Sequence, residues 1–212
     1  MNNSVSLSSP SVSLEIGSRL LWAGLVSIFA VKIYIAFSQQ PNINLLLLFM
    51  SEVITVGLLI FARIPTKTDY RPYALLITTV ATFYFLVIEI SPDQSTRLVS
   101  PLIAGLIQLA GLSWQVVAKI WLGRNFGLLP AQRGIVTSGP YRLVRHPIYL
   151  GYLVSHIGTL LSFFNLWNLA IYAALYLFQI LRMVEEEKLL KNDADYQAYL
   201  NKTPYRFIPF VF

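Results

Sequence analysis

Four apolar runs follow one another between Leu14 and Leu122, covering Leu14–Phe37, Ile43–Ala62, Tyr73–Ile90 and Leu98–Leu122, with short polar breaks between them. A helix needs about 20 predominantly apolar residues to cross the hydrocarbon core of a bilayer. Runs of this length constrain the chain to an all-α, polytopic integral membrane protein. Two shorter runs, Ile148–Phe164 and Trp167–Met183, meet at a tight turn at Asn165 and read as a helical hairpin. They bring the expected number of membrane helices to about six. Composition agrees: of 212 residues, 56% are hydrophobic and 12% charged, too apolar a balance for an ordinary soluble domain.

The net charge of +6 reflects membrane topology rather than nucleic-acid binding, because the basic residues are scattered over the breaks between runs. With the N-terminus inside, all of them except Lys32 and Arg97 fall on the inner side, Lys119 included. Both termini are therefore expected in the cytosol, and Ser38–Asn42 and Ser91–Arg97 outside, in the inner or plasma membrane of a prokaryote. Residues 1–13, rich in serine and lacking a basic start and an apolar core, read as a flexible tail rather than a signal peptide. Arg19 and Lys32 sit near the ends of the first run, where they can snorkel. Glu52, in the middle of the second, reads as a helix-interface residue paired or held neutral, with a functional role as the alternative. Gly105, Gly111 and Ser113 offer small faces for helix packing, and His156 reads as a packed, hydrogen-bonded histidine. With no cysteine there is no disulfide, thiolate nucleophile or cysteine-ligated metal.

The character of the chain changes after Leu122. Gly123–Val144 contains Arg124, Arg133 and Arg142 among glycines and prolines and reads as a structured loop. Gly139–Gly151 then concentrates Tyr141, Arg142, Arg145, His146 and Tyr149 around Pro140 and Pro147. Such a cluster belongs at a membrane surface, with a helix beginning at Pro147 or Ile148. From Val184 the chain turns amphipathic, with Glu185, Glu186, Glu187 and Lys188, and is expected to leave the bilayer. Three consecutive glutamates fan out around a helix and cannot all face one ligand. Glu186 follows Arg182 by four residues and shares its face: either a surface ion pair, or a site for a ligand bearing both charges. The organisation expected is a tail (1–13), four membrane helices (14–122) and a site-bearing region (123–212).

Arg145-His-Pro-Ile-Tyr-Leu-Gly151, preceded by Gly-Pro-Tyr and followed by Arg182, Glu186 and Glu187, resembles the isoprenylcysteine carboxyl methyltransferase and phospholipid methyltransferase superfamily. The likeness extends through Leu122-Gly-Arg-Asn-Phe-Gly, through Tyr196 and Tyr199, and through Tyr205-Arg-Phe-Ile-Pro, covering roughly residues 115–212. It implies a membrane-embedded methyltransferase whose cofactor is S-adenosylmethionine, held in a cytosolic pocket that the C-terminal amphipathic segment closes. It further implies that Arg133, Gly134, Ile135, Val136, Tyr141, His146, Pro147, Ile148, Tyr149, Glu186 and Glu187 bind the cofactor and that Arg182 faces the substrate, making Arg182 and Glu186 the catalytic pair. The loop between Phe126 and Arg133 is shorter than in the eukaryotic prenylcysteine enzymes, and no contact is carried into it.

The expected partners are a lipid or lipidated small-molecule acceptor and the membrane lipids, with no nucleic acid and no metal. A carboxylate acceptor requires no general base, whereas an amine must lose a proton. An isoprenylcysteine-like carboxylate is the leading expectation, a phospholipid amine the alternative. Tyr141 and Tyr149 offer aromatic faces to a sulfonium, each worth ~0.5–2 kcal/mol. Sterol reductases share the scaffold and use a nicotinamide cofactor; the short chain and the Arg182/Glu186/Glu187 arrangement favour methyl transfer. A transporter would need more ionisable groups at the midplane than Glu52, and a silent scaffold leaves the one-sided polar cluster without purpose.

Overall fold

The computed structural model describes residues 11–39, 41, 43–89 and 95–211. Residues 1–10 of the expected tail, and parts of the two expected outer turns (40, 42 and 91–94), lie outside the described residues. Among the described residues seven α-helices follow in order: α1 Val12–Gln39, α2 Ile43–Phe61, α3 Pro72–Phe83, α4 Pro101–Leu122, α5 Pro147–Ser162, α6 Leu166–Leu190 and α7 Ala194–Lys202. A two-stranded antiparallel sheet joins β1 Lys67–Thr68 to β2 Ala131–Gln132.

Among the described residues, four helices, α1, α2, α4 and α6, are long and apolar enough to cross a membrane. The third apolar run is helical over only 12 residues before it tightens into a 3-10 turn at Tyr84–Leu86. Pro72 at its first turn fixes its start. The tightening coincides with Tyr84 and Phe85 turning into the bundle, where Phe85 stacks on Phe29 with ring centroids 3.8 Å apart. α5 begins at Pro147 as expected and has 16 residues. α6 starts after Asn165, whose side chain accepts from the Asn168 amide. It does not end near Met183 as the polar run suggested; it continues to Leu190, so Arg182 and all three glutamates ride on one rigid helix.

α4 and α5 make the closest helix pair. A Cβ placed on Gly111 would lie 2.3 Å from the Ser155 amide nitrogen, and one on Gly158 2.7 Å from Gln108 Cγ. Close backbone approach through small residues is a standard route to helix association in lipid, where no hydrophobic driving force acts between helices. Gly111 fulfils the expected packing role. Gly105 meets nothing nearer than Asn44 Nδ2 at 3.6 Å, and Ser113 is exposed.

Two polar residues, Lys119 and Arg19, depart from the topology reading, and a third, His156, follows its expectation. Lys119 is completely buried, not at the inner surface. Its ammonium donates to Ser51 Oγ (2.7 Å), Thr55 Oγ1 (2.8 Å) and Gln115 Oε1 (3.3 Å). Ser51 and Thr55 are one turn apart on α2, and Gln115 is one turn before Lys119 on α4, so the two helices build its acceptor set. Arg19 does not snorkel but caps the end of α2, donating to the carbonyls of Ala62 (2.7 Å) and Arg63 (2.6 Å). His156 is packed as expected, with Nε2 2.6 Å from Tyr84 Oη and Nδ1 2.9 Å from Tyr176 Oη.

Candidate active site

The polar cluster forms at one end of the bundle, where the loop after α4 folds back beneath α1 and α2. Arg63 donates its amide to the Arg124 carbonyl (2.7 Å), Thr66 to Gln132 (2.9 Å) and Asp69 to Pro130 (3.0 Å). The short α2–α3 connection thus pins residues 124–132. At Gly139 φ is +57°, and a Cβ would sit 2.3 Å from the Trp121 indole, so this turn needs glycine on both counts.

This framework encloses a cavity of about 150 Å³. Arg133, Gly134, Ile135, Val136, Tyr141, His146, Ile148, Tyr149, Arg182 and Glu186 all line it. The structure therefore brings together nearly every residue singled out from sequence. Two are placed elsewhere. Pro147 is buried in the first turn of α5, where its carbonyl accepts from Trp114 Nε1 (2.9 Å). Glu187 turns toward the C-terminal tail, accepting from Arg145 Nε (2.9 Å) and Arg206 Nε (3.0 Å) with His146 Nε2 3.2 Å away. It stitches the tail to Arg145 and His146, whose backbone amides also donate to the carbonyls of Tyr205 (2.9 Å) and Arg206 (2.7 Å). Its neighbour Glu185 is buried against Arg71 and Lys188, not solvated.

Glu186 accepts from Tyr149 Oη at 3.0 Å and has His146 Nδ1 at 3.7 Å. Arg182 is 7% exposed, so the pair with Glu186 is no surface ion pair. Its Nη2 donates to the Leu128 carbonyl, and its guanidinium lies 5.7 Å from the Tyr149 ring centroid. Nε stands 3.4 Å from Glu186 Oε1 without hydrogen-bond alignment. Arg133 is anchored from the far end of the sequence: its Nη2 donates to Glu15 Oε1 (2.8 Å), and Glu15 also takes Arg19 Nε (2.9 Å) and Tyr70 Oη (2.7 Å). Burial pushes the Arg133 guanidinium below its ordinary value, with Glu15 opposing.

Several buried polar atoms on the cavity wall have no hydrogen-bond partner: Asn125 Oδ1, Arg133 Nε, Arg182 Nε and Tyr196 Oη. Burial holds the Tyr196 and Tyr141 phenols well above their usual range, so both stay protonated at neutral pH. Unsatisfied buried groups cost free energy unless a ligand meets them. Leaving Arg182 aside, one donor (Arg133 Nε), one acceptor (Asn125 Oδ1) and one hydroxyl (Tyr196) fit a zwitterionic, hydroxyl-bearing molecule, which S-adenosylmethionine is. Asn125 was missed as a site residue, although Leu122-Gly-Arg-Asn-Phe-Gly carried the signal; Tyr196 and Tyr199 stood in the tail motif without a role.

A second, larger cavity of about 390 Å³ opens inside the bundle, walled mostly by apolar side chains such as Val26, Phe29, Ile33, Leu48, Phe83 and Leu112. Leu128, Tyr152 and Arg182 line both cavities. Arg182 therefore stands where a polar chamber and an apolar one adjoin.

Comparison with known proteins bears on this arrangement. Residues 103–192 match the isoprenylcysteine carboxyl methyltransferase family. The matched segment runs from α4 through α6 and contains the loop, the Gly139–Gly151 cluster, Arg182 and the glutamates. The resemblance read from those residues holds. A solved structure of the eukaryotic intramembrane Ras methyltransferase ICMT (isoprenylcysteine carboxyl methyltransferase) shares the fold, with a TM-score of 0.50 at 20% identity over 91% of this chain and 75% of that one. Its likeness reaches α1–α3, beyond the segment that the ICMT family match covers. No curated protein gives a significant match.

Proposed function

We propose that this chain is an S-adenosylmethionine-dependent methyltransferase acting at the membrane on a lipophilic carboxylate. The observation that carries the reading is the position of Arg182 in the shared wall of the two cavities. When bound in the smaller cavity, S-adenosylmethionine supplies an electrophilic methyl group that brings its own leaving group. Asn125, Arg133, Tyr141, Tyr149, Glu186 and Tyr196 are the side chains that would hold it, joined by the backbone of Gly134–Val136. Glu186, fixed by Tyr149 Oη, gives the cationic molecule a negative wall, and the Tyr149 ring gives it an aromatic face.

Arg182 receives the acceptor. Its guanidinium is always charged and presents donors in a fork that matches a carboxylate, and the Leu128 carbonyl and Glu186 set its plane. A carboxylate nucleophile is already ionised, so the residues need only align it and exclude water. The lipophilic remainder of the acceptor has the larger cavity to occupy. The site end is cytosolic in this reading, consistent with Arg63, Lys67, Arg71, Arg124, Arg142 and Arg145 gathering there.

The test pairs S-adenosylhomocysteine titration with methyl transfer to long-chain and prenylated acids. Arg182→Ala should leave S-adenosylhomocysteine affinity within a few-fold of wild type and lower turnover steeply. Arg182→Lys should recover part of it, since it keeps the charge but loses the planar two-bond contact. Cofactor affinity lost with turnover would move Arg182 into the cofactor site; turnover on phospholipid amines and not on acids would replace the acceptor class.

A further inference from the structure

The larger cavity is not uniformly apolar, and one of its polar walls has no structural use. Glu52 lines it from the middle of α2 and has neither a hydrogen-bond nor an ion-pair partner among the described residues. Among the other polar groups nearby, His156 and Lys119 are engaged, whereas Gln179 Oε1 on the same wall is buried without a hydrogen-bond partner. His156 is bonded through both ring nitrogens, to Tyr84 and Tyr176. Lys119 lies within electrostatic reach of Glu52, but its ammonium donates to Ser51, Thr55 and Gln115 instead. A carboxylate only accepts hydrogen bonds, and leaving one unmet at membrane depth is costly. In a chamber built for a plain hydrocarbon tail, leucine would serve better at this position.

The depth of Glu52 can be read from the packing. Leu128, whose carbonyl takes Arg182, shares a core cluster with Trp22 and Leu59. Glu52 precedes Leu59 by seven residues on α2, so it lies about 10 Å farther along the helix. With Lys119 already within electrostatic reach, a neutral hydroxyl meets this carboxyl group without bringing a second cation beside it.

We propose that the larger cavity is a two-point lipid site, in which the acceptor carries a hydroxyl, remote from the head group at Arg182, that donates to Glu52 on the same cavity wall. This rests on the reading of Arg182 as the acceptor's head-group contact. It narrows the substrate class from lipophilic acids to hydroxylated lipophilic acids.

The experiment compares straight-chain acids with their ω-hydroxy counterparts over a series of lengths, using the purified full-length protein. Wild type should favour the hydroxy acid by about 3- to 10-fold in kcat/KM at one optimal length, the effect of one hydrogen bond. Glu52→Leu should abolish that preference and leave the plain acid as good a substrate or better. Glu52→Gln keeps an accepting oxygen and should retain part of the preference, and it decides the matter if Glu52→Leu does not fold. Thermal stabilisation by the same lipids without cofactor gives a readout independent of methyl transfer. If neither acid is methylated but the hydroxy acid stabilises wild type more than Glu52→Leu, the methyl-transfer reading fails and the lipid site stands. Equal use of both acids by wild type, or a preference that survives Glu52→Leu, overturns the lipid site and leaves Glu52 as the countercharge of Lys119. No discrimination and no turnover sinks both.

Discussion

Three adjacent glutamates have three separate employments, and substitution should separate them. Glu186→Gln removes the carboxylate that faces the smaller cavity. Losing a charge-assisted hydrogen bond costs ~1.5–3 kcal/mol, so S-adenosylhomocysteine affinity should fall about 10- to 150-fold with thermal stability little changed. Glu185→Gln should do the reverse. It breaks the bond to Arg71, which Asp69 also grips through Arg71 Nε at 2.8 Å and whose pKa that contact raises. Arg71 is partly exposed, so the loss should be modest, about 1 kcal/mol, read as a lowered thermal midpoint at unchanged cofactor affinity. Equal effects on affinity from the two substitutions would remove the distinction. Helical periodicity showed that the glutamates point apart and that Glu186 shares a face with Arg182. It did not show that Glu185 is buried, because its partner Arg71 is 114 positions away and no local pattern announces a contact of that range. Lys119 is the same lesson reversed: charge counting assigns it to the inner surface, whereas Ser51 and Thr55 on another helix make a buried place for it.

At the scale of elements, the placement of the site depends on how closely α5 lies against α4, since α5, with His146 just before it, carries Ile148 and Tyr149 to the cavity. Gly111→Ala should therefore be costly. Its Cβ would meet the backbone of α5 at 2.3 Å, and backbone cannot swing aside as a side chain can. Overpacking of this kind typically costs ~1–3 kcal/mol. Gly105→Ala, with only the Asn44 amide at 3.6 Å, should be neutral or slightly stabilising, because alanine is the better helix former. Thermal unfolding of the two variants in detergent checks the contrast; similar midpoints would mean that the α4–α5 crossing tolerates separation. Helix positions were legible because hydrophobic runs, Pro147 at the start of α5 and the turn at Asn165 are local signals. The end of α6 was not legible: a charged run normally marks departure from the bilayer, but here buried partners on the β1–α3 connection and the C-terminal tail keep the helix intact through Leu190. The shortness of α3 was also hidden, since its 3-10 turn answers to Phe29 and His156 rather than to a local breaker.

At the scale of the whole molecule, sidedness is testable without background labelling, because the chain has no cysteine. Cysteines introduced at Ser38 and Asn201, both exposed, should label from outside and from the cytosol respectively; the reverse would invert the topology.

A more demanding prediction concerns how the two halves of the chain depend on each other. The sequence motifs lie within residues 115–212, and the segment matching the family spans 103–192, yet the structure ties the cavity to α1. Glu15 is 1% exposed and holds Arg133, whose side chain is also buried. No motif predicted this link, since an acidic residue at the start of a membrane run looks like an interfacial anchor. Removing one partner of a buried ion pair leaves an uncompensated charge and typically costs ~3–5 kcal/mol. Glu15→Gln should therefore lower the thermal midpoint and, by freeing Arg133, weaken S-adenosylhomocysteine binding. Arg19→Gln provides the control: it loses bonds to Glu15 and to the carbonyls that end α2, but Arg19 does not line the cavity. It should destabilise while leaving cofactor affinity within a few-fold. If both variants lose stability and both retain affinity, α1 only supports the bundle. If affinity falls with Glu15→Gln alone, the binding chamber is completed by a residue 118 positions from the arginine it holds, and the site belongs to the whole chain.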